Sequence, residues 1–139
     1  MHTLPEPLLA TWQHVWRHGL APLLSTAALQ ALRDGLARDD PALIQGATTM
    51  PPHCHVQDRT VDGACVIGYL GRRGEGLETI GEVEQYFGRM CFAVDGSLGQ
   101  PAASRWLLNY YDDTPRAQMV PALLAEVELS LAWRQEVSS

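Results

Sequence analysis

"TVDGACVIGYLG", residues 60–71, is the stretch on which the fold class turns. Its apolar run from Ala64 to Leu70 neither alternates nor leaves a polar face, so periodicity admits either a buried helix or a buried strand. A strand needs partners for its backbone groups, and working outward from this run uncovers few alternating segments. A helix over residues 61–70 is therefore the favoured reading.

Upstream, Leu8/Leu9, Trp12 and Val15/Trp16 recur at three- and four-residue steps, with Pro5 and Pro7 ahead and Gly19 as a C-terminal stop. "STAALQALRDGLARDDP", residues 25–41, opens on Ser25 as N-cap and buries Leu29, Leu32 and Leu36. Asp34 and Arg38 stand at i,i+4 for an ion pair. Asp40-Pro41 then reads as N-cap and first residue of a short helix ending at Gly46.

Downstream, Thr79 and Glu82 have the spacing of a capping box. Ile80, Val83, Phe87, Met90 and Val94 follow on one stripe, ended by Asp95-Gly96. Pro101 starts "PAASRWLLNYY", in which Trp106, Leu107 and Tyr110 face one way and Leu108 and Tyr111 another. Thr114-Pro115 starts a last helix carrying Met119, Leu123, Val127 and Leu131, with Pro121 as a kink or as its true first turn. The pattern is all-α: one compact irregular or orthogonal bundle of about six helices, with residues 1–139 as a single domain.

Composition narrows the chemistry. All ten basic residues are arginine, against sixteen acids, for a net charge of −6. Without lysine there is no Schiff base, no lysine general base and no P-loop. An acidic chain is also a poor partner for nucleic acid. The N-terminus has no basic segment followed by an apolar run, so no secretory signal is expected, and no stretch approaches the ~18 apolar residues of a membrane span. Three cysteines at Cys54, Cys65 and Cys91 match no zinc spacing, and the apolar settings of Cys65 and Cys91 suggest buried thiols in a reducing, cytoplasmic compartment.

Three strings carry reactive residue types. "PPHCHVQDR", residues 51–59, places His53 and His55 on one face of an extended chain and Cys54 on the other. His14 and His18 lie at i,i+4, roughly 200° and 240° around the helix from Trp12 and so off its apolar stripe. If the fold brought the pairs together, His14, His18, His53 and His55 would form a transition-metal site; otherwise no cofactor is expected. The glycine-rich "GYLGRRGEGLET", residues 68–79, departs from the dinucleotide fingerprint, and Glu75 and Glu78 would repel a phosphate. It reads as a helix–helix connection.

The third string, "WLLNYYDDTPR", residues 106–116, gathers aromatics, acids and an arginine at a helix–helix corner. Thr114 is placed to cap the next helix, and one of Tyr110 and Tyr111 is expected at the surface beside the acids. Trp106, Tyr110, Tyr111, Asp112, Asp113 and Arg116 are accordingly the expected partner-binding residues, because exposed Trp, Tyr and Arg dominate interface energies. No Ser-His-Asp arrangement, HExxH or basic recognition helix is present. The expected function is a non-enzymatic protein-interaction module, with self-association through an apolar helix face as one form of it. The alternative is a small metal-binding protein or metal-dependent enzyme using the four histidines.

Overall fold

A computed structural model of the chain describes residues 6–51 and 57–138. Among these it contains six α-helices: α1 (Glu6–His14), α2 (Thr26–Ala37), α3 (Val66–Tyr69), α4 (Ile80–Leu98), α5 (Ala103–Asp113) and α6 (Arg116–Ser138). One two-stranded antiparallel pair joins β1 (Thr49–Met50) to β2 (Gly63–Ala64), with Thr49 opposite Ala64 and Met50 opposite Gly63. The architecture is the all-α bundle that the periodicity predicts.

Residues 60–71 satisfy both readings in succession. Gly63 and Ala64 are strand, Cys65 is extended at the helix N-cap, and α3 begins at Val66. The strand exists because partners are at hand: besides β1, the Ala64 amide donates to the Ala42 carbonyl and the Ile44 amide to the Ala64 carbonyl, both at 2.8 Å. The same bonds explain why residues 41–46 do not form the expected short helix. Asp40 does receive the Ala42 amide at 3.0 Å, but the chain then extends to pair with β2.

The strong local signals hold. The Ser25 hydroxyl accepts from the Ala28 amide at 3.0 Å, and Thr79 and Glu82 form a reciprocal capping box on α4. α4 runs past Asp95-Gly96 to Leu98 and closes on Gly99, whose φ of 65° is the left-handed conformation glycine adopts without cost. Pro121 lies inside one continuous α6, just past its first turn. Arg38 pairs with Asp40 at 3.1 Å rather than with Asp34, because α2 ends at Ala37 and Asp39 takes a left-handed φ of 51°.

Gly19 does not stop the first helix. The chain continues from α1 through wider π-type turns at Val15–Leu20 and a 3-10 turn at Ala21–Leu23. A Cβ at Gly19 would sit 2.8 Å from Leu98 Cδ1, so this glycine allows α4 to approach. α3 likewise continues as π-type turns, Leu70–Gly74, which pack on α2. There a Cβ on Gly74 would lie 2.6 Å from the Ala28 Cα.

One apolar cluster extends from Trp12 to Leu131 and includes Trp16, Leu20, Leu29, Leu32, Ile67, Tyr69, Leu107 and Met119. It draws on every helix, so the outward residues of α5 and α6 stand on a rigid base.

Candidate functional site

α5 ends at Asp113, Thr114 is extended, and α6 starts at Arg116. The last carbonyls of a helix have no partner within it. Here Gln45 supplies donors from outside: its Nε2 donates to the Tyr111 carbonyl at 2.6 Å and to the Thr114 carbonyl at 2.7 Å. The Tyr111 hydroxyl donates to the Ile44 carbonyl at 2.7 Å, and the Gly46 amide donates to Asp112 Oδ1 at 2.9 Å. Arg116 completes the clamp through Asp39 Oδ1 and the Asp40 carbonyl, each at 2.9 Å, and through the Leu43 carbonyl.

Three of the six residues expected to meet a partner therefore hold residues 39–46 within the chain: Tyr111, Asp112 and Arg116. Tyr111 is 2% exposed, and burial pushes its phenol pKa up. Tyr110, half-buried, stacks on Trp12 with ring centroids 5.3 Å apart and planes at 28°. Neither tyrosine stands fully exposed beside the acids, because the core reaches two sides of α5. Thr114 does not cap α6 either; its buried Oγ1 has no hydrogen-bond partner among the described residues.

What remains outward on α5 is a narrower surface. Trp106 is 42% exposed, and Arg105, Asn109, Asp112 and Asp113 are exposed. Trp106, Tyr110 and Asp113 follow at i, i+4 and i+7, so they share one face of the helix. The indole of Trp106 thus lies one turn from a ring that is itself anchored on the core residue Trp12.

The histidines divide. His14 and His18 are exposed with ring centroids 4.9 Å apart, as their place off the apolar stripe requires. His53, Cys54 and His55 lie outside the described residues. Among the described residues no three His, Cys, Asp or Glu side chains stand together as a metal group. Cys65 is buried, and burial pushes its thiol pKa up to about 12. Burial also raises Cys91, with Ser104 opposing. Burial thus disfavours the thiolate at both.

The glycine-rich segment is more structured than a plain connection. Its first part is the π-type extension of α3, and Arg72 Nη1 donates back to the Leu77 carbonyl at 3.4 Å.

Sequence reasoning missed a buried, two-bond ion pair. Glu126, 5% exposed, receives Arg17 Nε on Oε1 at 2.7 Å and Arg17 Nη2 on Oε2 at 2.8 Å. The available signal was weak: two charged residues on the inward sides of helices far apart in sequence. No protein-family model matches this sequence, and no curated protein or solved structure matches it either.

Proposed function

We propose that the chain is a non-enzymatic protein-interaction module, working in the cytoplasm, whose contact surface is the outer face of α5. The observation that carries this reading is Trp106. A large indole is held 42% exposed, one turn from a tyrosine stacked on the core. Rigid aromatic anchors of this kind dominate interface energies, since burying them gains area with little loss of side-chain freedom. Asp113 adds charge to the same face, and an overall charge of −6 favours a partner with basic residues around an apolar pocket.

A photo-crosslinking side chain at position 106 tests it. A defined partner should crosslink there, and Trp106→Ala with Asp113→Ala should abolish its capture while leaving Tm within about 2 °C of the parent. Equal capture by the double variant and the parent would refute the assignment of this face.

A further inference from the structure

A second concave surface, independent of the α5 face, lies where the first and last helical segments meet. Arg17, Ala21, Pro22, Thr26, Trp133 and Arg134 line an open groove of about 340 Å³. Pockets of roughly 300 Å³ and above accommodate small ligands.

Two lining residues, Arg17 and Ser130, are held by buried polar partners behind them. Glu126 holds the Arg17 guanidinium by two parallel bonds, while Ser130, 7% exposed, donates to the Glu126 carbonyl at 3.0 Å and accepts Trp16 Nε1 at 3.3 Å. Arg134 is positioned separately: Nη2 donates to the Ala21 carbonyl at 2.8 Å and Nη1 to Thr26 Oγ1 at 3.2 Å. An apolar wall stands beside these cations, formed by the Trp133 indole, 44% exposed, with Pro22 and Ala21.

Burying a carboxylate against an arginine is a poor way to gain stability, because desolvation cancels most of the attraction and an apolar pair would serve as well. The pair does achieve a fixed orientation. With Nε and Nη2 committed to Glu126, Arg17 keeps the two N–H groups of Nη1, which bond no other described residue, and its side chain is 33% exposed. A guanidinium held this way loses little freedom when it receives an anion.

We propose that the groove binds a small organic anion, a carboxylate carried on an aromatic or branched apolar body. The carboxylate accepts from Arg17 Nη1, and the body lies against Trp133 and Pro22.

The test titrates phenylacetate into the isotope-labelled protein and follows the Trp133 indole N–H resonance, identified by its loss in Trp133→Phe. The expected result is a saturable shift, with phenylacetamide binding at least about ten-fold more weakly, the equivalent of one good charged contact. Arg17→Met/Glu126→Leu, which removes both charges together, should erase the preference for acid over amide. Trp133→Ala, at a position 44% exposed, should weaken both ligands about five-fold or more. No saturable shift up to about 20 mM, or equal binding of acid and amide by the parent, would overturn the proposal. A peptide ending in a free phenylalanine carboxylate separates two sources of the same chemistry. If it binds about ten-fold more tightly than the free acid, the small-molecule assignment is wrong.

Discussion

Arg17 and Glu126 form a two-bond ion pair, 2.7 and 2.8 Å, between residues 109 positions apart, tying the first helical segment to the last. Removing the arginine alone leaves a carboxylate that is 5% exposed with the Gln13 amide, at 3.5 Å, in place of its cation. Arg17→Met should therefore lower unfolding free energy by about 2–3 kcal/mol, the low end for breaking a buried pair because Arg17 is itself a third exposed. Arg17→Met/Glu126→Leu should recover most of that loss. Urea midpoints of the three proteins check both statements, and a double variant no better than the single would contradict the account.

The clamp on residues 39–46 makes a contrast between adjacent aromatics of α5. Tyr111→Phe loses one buried hydrogen bond to Ile44 and should cost about 1 kcal/mol. Tyr111→Ala also opens a cavity in the core and should cost about 3–5 kcal/mol. Trp106→Ala should change stability by less than about 1 kcal/mol, since much of its indole already faces solvent. Thermal melts rank the three, and a Trp106 variant as damaged as Tyr111→Ala would show that the outer face is structural.

Two glycines should respond in opposite directions to alanine. At Gly74 a Cβ would stand 2.6 Å from backbone of α2, so Gly74→Ala must push the helices apart and should cost about 1–3 kcal/mol. At Gly88, in the middle of α4, a Cβ meets nothing within 4 Å. Gly88→Ala should stabilise by about 0.5–1 kcal/mol through lower unfolded-state entropy. Denaturant melts of both variants give the signs directly.

Alkaline pH should unfold the protein through its buried neutral acids. Burial raises Cys65 from 9.0 to about 12 and Tyr86 from 10.0 to about 12, and it raises Tyr111 as well. A group whose pKa is higher when folded adds stability below its unfolded pKa and loses it as pH rises toward the folded one. The urea midpoint should therefore begin to fall near pH 9, the ordinary value for Cys65, and fall faster above pH 10, that for Tyr86, with tyrosinate absorbance rising in step with unfolding. Cys65→Ala should delay the onset by about one pH unit. An onset unchanged in that variant would remove Cys65 from the explanation.

Helix starts and stops were legible residue by residue where the chemistry is local. Ser25 and Thr79 with Glu82 need only neighbours within a turn and cap as their spacing predicts. On α4, Ile80, Val83 and Val94 are buried as expected, while Phe87 and Met90 are only partly covered and Tyr86 is buried in addition. The corner at Trp106–Arg116 was legible as a concentration of functional residue types, but not in how those residues divide. Tyr111, Asp112 and Arg116 bond to residues 39–46, about 70 positions away, while Trp106, Asn109 and Asp113 face outward with no such role.

Composition and periodicity by themselves determined the all-α class, the capped helices and the exclusion of lysine chemistry, because these depend on residue types and on spacing along one chain. Tertiary structure decided the rest. Whether Gly63 and Ala64 become strand depends on Ala42, Ile44 and Met50 reaching them. Whether Glu126 is a surface acid or a buried one depends on the fold bringing Arg17, 109 positions away, to meet it. Backbone groups and charges must be satisfied by whichever partners the fold delivers, and a linear pattern does not encode which distant residues those will be.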